Sequence, residues 1–265
     1  MDVSEVLEDL VAEQEALDRV VDELSDEQFG LATPSERWTV ADQLGHLTYF
    51  DTTAALAIKD GAAFADHKAE LMSAFVDALA VDDATLGSFR ELSPTAQLAA
   101  WRRGRLGLEA AAHTLGNDTR VEWYGPSMGS KSFLTARLME VWAHGQDICD
   151  AVGAARPASD RLRHIAQLGV ITRSWSYLVR GEEAPGEAVR VELIAPSGTE
   201  WTWGDEEAAE LITGAAEDFC LVVTQRRHVD DTGLVVSGGA AHDWMTKAQA
   251  FAGGPTTGPA PRGAN

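Results

Sequence analysis

The sequence predicts a mostly α protein, a four- or five-helix up-down bundle followed by a small α+β domain. Three observations carry this. Apolar residues recur at helical spacing over most of the first 181 residues, the spacing turns to alternation after Gly186, and Gly or Pro marks the joins. The expected divisions are residues 1–181 for the bundle and 187–252 for the α+β domain. Residues 253–265 hold four Gly and three Pro with no apolar period, which predicts a disordered tail.

In chain order, Val6, Leu7, Leu10, Val11, Leu17, Val20, Val21 and Leu24 define a helix over roughly 4–24. A second helix begins at Trp38-Thr39, where Thr39 is an N-cap and Asp42 completes a capping box in place of Glu. Its stripe is Val40, Leu44, Leu47, Ala54 and Ile58, and Gly61 stops it. Residues 62–92 carry a weaker pattern, read as one short helix over 66–80. Ser93-Pro94 starts a third long helix that runs to about Leu115 and breaks at Gly116-Asn117-Asp118. An ordered loop, Val121 to Gly129, contains Trp123-Tyr124-Gly125-Pro126. A fourth helix covers about Ser132 to Val152, closed by Gly153, and a fifth covers about Ser159 to Arg180, closed by Gly181.

Beyond Gly186, Val189, Val191 and Leu193 alternate with charged residues, Pro196-Ser197-Gly198 turns, and Trp201 and Trp203 alternate on the return. That predicts a hairpin over 188–203. A helix is expected from about Glu206 to Thr224, a short strand at 234–236 and a last helix over about 240–252.

Forty-two acidic against 21 basic residues give a formal charge of −21. Such a surface repels phosphate backbones and anionic membranes, so neither nucleic acid nor membrane is an expected partner. No apolar run approaches the ~18 residues of a membrane span. The acidic start, Met1-Asp2-Val3-Ser4-Glu5, lacks a basic region leading an apolar stretch. Cys149 and Cys220 lie far apart, with no Cys-x-x-Cys spacing. Together these features predict a cytoplasmic protein.

The chemistry concentrates on two helices. Glu140 and His144 sit one turn apart on the fourth helix, ~40° apart around its axis at ~100° per residue. That is the spacing by which a helix offers two ligands to one metal, and equally that of an i,i+4 ion pair. Arg137, one turn before Glu140, fits a surface pair as well. His46 lies on the second helix at a matching angle to its apolar stripe, so the two helices can present polar groups to a shared interior site. A half-exposed histidine beside Asp42 is the alternative. Gly45 beside it implies close helix approach or room for the side chain. His67, His113, His164, His228 and His242 lack a partner at ligand spacing and read as surface or capping residues.

Trp38-Thr39-Val40-Ala41-Asp42-Gln43-Leu44-Gly45-His46-Leu47 resembles the second-helix signature of the DinB-like superfamily, and specifically the branch of mycothiol-dependent maleylpyruvate isomerases. The run Arg137-x-x-Glu140-x-x-x-His144-x-x-Asp147 resembles the fourth-helix signature of that branch. Trp123-Tyr124-Gly125-Pro126 resembles a loop of uncharacterised actinobacterial metal-binding relatives. The resemblance implies a DinB-like bundle with His46, Glu140 and His144 as ligands of a divalent ion, zinc foremost. Asp147 would orient a ligand histidine and Arg137 would steady Glu140. The branch's C-terminal arginine falls at Arg226 and would be catalytic, although Gln225 stands where the branch has Gly.

Three ligands leave coordination positions open, as in catalytic zinc sites. The expected function is isomerisation or S-transfer on a small electrophile, with a low-molecular-weight thiol such as mycothiol as cosubstrate. A metal-dependent hydrolase and a non-catalytic metal-stabilised small-molecule binder are the alternatives.

Overall fold

The computed structural model describes residues 2–73 and 77–263. The chain divides into two compact units, Met1–Arg156 and Pro157–Asn265. The segment 159–180, grouped by its periodicity with the bundle, lies in the second of these.

In the first unit, α1 (Val3–Val21) starts at Asp2, whose carboxylate accepts from the backbone of Ser4 and Glu5 in a capping box. After a one-turn α2 (Asp26–Phe29), α3 (Val40–Lys59) starts at Thr39. Its capping box has Asp42 in the glutamate position: Asp42 N–H donates to Thr39 Oγ1 and Thr39 N–H donates back to Asp42 Oδ2. In place of one helix over 66–80 there are two, α4 (Gly61–Ser73) and α5 (Ala78–Arg90). Asp77 explains the restart, because its side chain caps Ala80 N–H at 2.9 Å. Residues 74–76 of the expected helix lie outside the described residues.

Helix α6 (Pro94–Ala112) has Ser93 as N-cap and Pro in its first turn. Two short antiparallel strands, β1 (Arg120–Val121) and β2 (Met128–Gly129), pinch the loop between them. Helix α7 (Ser130–Val152) ends at Gly153, whose φ of 69° is a left-handed cap suited to glycine. The helices α1, α3, α6 and α7 pack on one another, with α5 against α3. Leu10, Leu17, Leu44, Leu47, Trp101, Leu108, Leu134, Leu138 and Ile148 fill the centre.

In the second unit the expected fifth helix is two, α8 (Leu162–Ile171) and α9 (Arg173–Leu178). The join is Thr172, whose hydroxyl donates back to Leu168 O at 2.7 Å. Strands β3 (Val189–Ile194) and β4 (Glu200–Trp203) form the expected hairpin, with Val191 opposite Trp203. The helix expected over 206–224 is a strand, β5 (Glu210–Ala215), followed by a shorter α10 (Ala216–Val223). Helix-forming Glu and Ala misdirect the reading there. The strand wins because it pairs parallel to β3 and buries Ile212 completely. Strand β6 (Val235–Ser237) completes the sheet order β4-β3-β5-β6, and α11 (Gly239–Lys247) is the last helix. In the tail, Thr256 Oγ1 donates to Gln225 Oε1 at 2.5 Å and Arg262 N–H to Asp231 at 3.0 Å. Among the described residues no helix is long and apolar enough to cross a membrane.

Candidate metal centre

The capping box at Thr39 sets the start of α3, and with it the facing of Gln43 and His46 one and two turns along. On α7, Glu140 and His144 share the face turned to α3. Glu140 Oε2 lies 3.2 Å from His46 Nε2 and 3.0 Å from His144 Nε2. One donor atom from each of the three residues lies within 4.8 Å of the others. Both histidines thus converge on a single carboxylate oxygen. The Glu140 side chain keeps 23% of its surface exposed, so the cluster is reachable from solvent.

A residue outside the sequence-derived set fixes the chemistry. Gln43 Oε1 is 2.5 Å from His144 Nδ1. The Gln43 amide nitrogen donates to Thr33 Oγ1 at 2.9 Å, and Thr33 Oγ1 donates to Trp38 O. This chain orients the Gln43 oxygen toward the ring, so Nδ1 of His144 carries the proton it donates. In the neutral ring Nε2 then holds the lone pair, aimed at a carboxylate oxygen 3.0 Å away. Two electron-rich atoms at that distance require a cation or a proton near them.

A divalent ion fits this set. Two imidazoles and a carboxylate suit zinc or a neighbouring first-row ion. A tetrahedral ion with bonds of about 2.0–2.1 Å holds its donors about 3.3 Å apart, close to the observed separations. Burial, reinforced by the Arg137 charge, pushes His46 down to about 4. Burial pushes the Glu140 carboxyl up, but the His144 and His46 rings beside it outweigh burial and hold the group well below the usual carboxylate range. A neutral imidazole and an ionised carboxylate are the protonation states that ligation needs.

The flanking groups differ in part from expectation. Asp147 Oδ2 is 3.9 Å from His144 Nδ1 and accepts from Ser35 Oγ at 3.1 Å, so the direct hydrogen bond to the ring goes to Gln43. Arg137 pairs with Asp51 rather than with Glu140, at 3.3 Å, with both side chains buried. Burial pushes Asp51 up to about 6 against the opposing pull of Arg137. Aromatic rings wall the cluster. Trp38 lies 5.0 Å from His46 and 5.9 Å from His144 between centroids, and Phe50 lies 4.6 Å from His46.

His67 is half-buried, with Tyr49 and Tyr124 hydroxyls against its ring. Its lack of a sequence-near partner concealed this, because both partners are remote in the chain. His228 does cap, accepting from Asp230 N–H at 3.2 Å. Arg226 follows α10 in the second unit, and its guanidinium donates to Thr224 O at 2.7 Å.

Comparison with known proteins adds the family. The chain is 45% identical to uncharacterised proteins from two strains of Mycobacterium tuberculosis, over 94% of this chain and 96% of each relative. Its fold is similar to crystal structures of the mycothiol-dependent maleylpyruvate isomerase and of a histidine-to-alanine mutant of that enzyme. Each has a TM-score of 0.59, covering 89% of this chain and 93% of the other, at 18% and 19% identity respectively. A profile described as wyosine base formation matches residues 185–236. The profile of the mycothiol maleylpyruvate isomerase N-terminal domain matches residues 10–149, more than half of the sequence, and the chain belongs to that family.

Proposed function

We infer that this chain is a metal- and thiol-dependent enzyme that isomerises a small electrophilic substrate or transfers sulfur to it. His46, Glu140 and His144 are the ligands in this reading. The observation that carries it is the single Glu140 oxygen facing two imidazole nitrogens, one of which Gln43 fixes as a lone-pair donor. The family supports the thiol, and a mycothiol-like molecule is the cosubstrate that the related enzyme's name supplies.

A divalent ion bound there would lower the pKa of a thiol so that the nucleophile exists as thiolate at neutral pH. The chain's own residues do the rest. Gln43 holds the His144 ring, Glu140 supplies negative charge beside the open positions, and Trp38 and Phe50 exclude water from one side of the cluster. Arg226 is proposed as a catalytic residue on the resemblance of residues 224–227 to the branch alone.

The test is a thiol titration of cobalt-substituted protein without electrophile. A sulfur-to-cobalt absorption band is expected. Its absence, with cobalt bound, would turn the reading toward activated water and hydrolysis. Failure of the wild type to take up any divalent ion would sink the metal site itself.

A further inference from the structure

The side of α3 turned away from the candidate metal centre borders a groove. At ~100° per residue, Thr48, Thr52, Ala55 and Lys59 lie about 180–240° around the helix from His46. They line the groove on one side, and Arg103, Gly104 and Gly107 of α6 line it on the other, with Phe89 of α5. Its volume is about 450 Å³. That falls in the roughly 300–1,000 Å³ range of small-molecule sites. From Thr48 to Lys59 the groove follows about 16 Å of helix, at ~1.5 Å per residue.

The threonines give the groove an apolar wall. Thr48 Oγ1 donates to Leu44 O and Thr52 Oγ1 donates to Thr48 O, both at 2.7 Å. Each hydroxyl is thus spent on its own helix. The Thr48 methyl lies 3.7 Å from a Cβ placed at Gly104, and Thr52 Oγ1 lies 3.4 Å from it, so α3 and α6 come close there. One turn on, at Gly107, an added Cβ meets nothing within 4 Å. The missing side chain at Gly107 keeps the groove open.

The two charged residues of the groove are cations without an acid. Lys59 and Arg103 are exposed, and among the described residues neither has a hydrogen bond or ion pair. This stands out in a chain of formal charge −21. Local sequence explains it. The residues three and four away from Arg103 are Ala99, Ala100, Leu106 and Gly107, and those three and four before Lys59 are Leu56 and Ala55. No carboxylate therefore stands at helical ion-pair spacing. On the same helix, Arg102 and Arg105 both pair with Asp18, at 2.8 and 2.5 Å. An apolar wall edged by two unpaired cations complements a molecule with an apolar chain and one negative group.

We propose that this groove binds a small amphipathic anion. Its unbranched acyl chain lies on the wall formed by Thr48, Thr52 and Ala55, and its negative group is met by Lys59 and Arg103. The site is on the opposite side of α3 from His46, Glu140 and His144, and it does not depend on the metal reading.

The experiment titrates octanoate, hexanoate and octanol into the full chain by calorimetry. Octanoate is expected to bind more tightly than hexanoate, by about two- to fourfold per methylene, as apolar burial requires. It is also expected to bind more tightly than octanol. Gly107→Leu places a side chain in the open space and replaces a poor helix former, so its melting temperature is expected to be unchanged or raised. Its octanoate affinity is expected to fall about tenfold or more. Arg103→Gln and Lys59→Gln change exposed, unpaired side chains and are each expected to weaken octanoate about two- to fivefold, with octanol unaffected. Absence of octanoate binding, or equal affinity in wild type and Gly107→Leu, overturns the site. Equal affinity for octanoate and octanol, or unchanged octanoate affinity in both charge variants, overturns its recognition of an anion.

Discussion

Gln43 and His144 face each other across α3 and α7 with 2.5 Å between amide oxygen and ring nitrogen, and this pair decides which nitrogen of His144 points at Glu140. Gln43→Leu removes the acceptor while keeping a side chain of similar size in a fully buried position. The ring can then take the other tautomer or turn. Metal affinity is expected to fall on the order of 10–100-fold, as for other groups that orient a ligand, with the helical circular dichroism kept. A metal titration on the variant checks this, and an unchanged affinity removes Gln43 from the site.

Glu140→Gln and Asp147→Asn separate a ligand from a neighbour. Glu140 faces both histidines through one oxygen, so loss of its charge is expected to abolish tight metal binding. Asp147 is 3.9 Å from His144 Nδ1, and Asn retains an oxygen for Ser35, so its effect is expected to be about tenfold at most. Equal losses in the two variants contradict these roles.

How far the sequence foretold this site depends on where each residue's partners lie. Glu140 and His144 are one turn apart, and His46 sits in a run with a recognisable cap, so local spacing makes all three candidates, and the resemblance of the two runs joins them into one set. Gln43 lies inside that same run, but its partner is 101 residues away and glutamine has no spacing rule that marks it. The resemblance gives Arg137 to Glu140, whereas the fold offers it the buried carboxylate of Asp51 on another helix. The fold follows the same division. Helices with local caps at Thr39, Ser93 and Gly153 were legible. The strand at 210–215 was not, because its pairing with 189–194 is a non-local contact that overrides local helix preference.

Gly45 lets α5 approach beside His46. A Cβ there would lie 3.2 Å from Phe89 Cβ and 3.4 Å from Leu86 Cδ2. Gly45→Leu is therefore expected to destabilise the first unit by roughly 1–3 kcal/mol through overpacking, despite the better helix propensity of Leu. Urea unfolding checks this, and a stabilised variant shows that α5 yields freely.

Acid is expected to weaken the metal-free protein through His46. Burial and the Arg137 charge push this group from 6.5 in the unfolded chain down to about 4. The folded state then binds fewer protons at His46 between those values. The associated stability is present above about 6.5 and is lost as pH falls through about 4. Asp51 works in the other direction, because burial pushes it from 3.8 up to about 6. Comparison with His46→Ala isolates the histidine. Between about pH 7 and about pH 4.5 the melting temperature of the wild type is expected to fall relative to that of the variant. A constant difference across that range contradicts a buried, proton-poor His46.

The ion pair behind the site allows a test of what Arg137 does. Its guanidinium meets Asp51 Oδ1 at 3.3 Å, and Gln14 Nε2 donates to Asp51 Oδ2 at the same distance, all three side chains being buried. Arg137→Met leaves a buried carboxylate without its cation, which is expected to cost about 3–5 kcal/mol at neutral pH. Loss of the cation also raises the Asp51 pKa further, so this variant is expected to recover stability as pH falls and the carboxyl takes up a proton. Adding Asp51→Asn removes the stranded charge and keeps an acceptor for Gln14, so the double variant is expected to be more stable than Arg137→Met alone. Metal affinity on the same proteins distinguishes the two assignments of Arg137. If the arginine acts through Asp51, the double variant regains much of any metal affinity that the single variant loses. If it acts directly on Glu140, neutralising Asp51 restores stability but not metal binding.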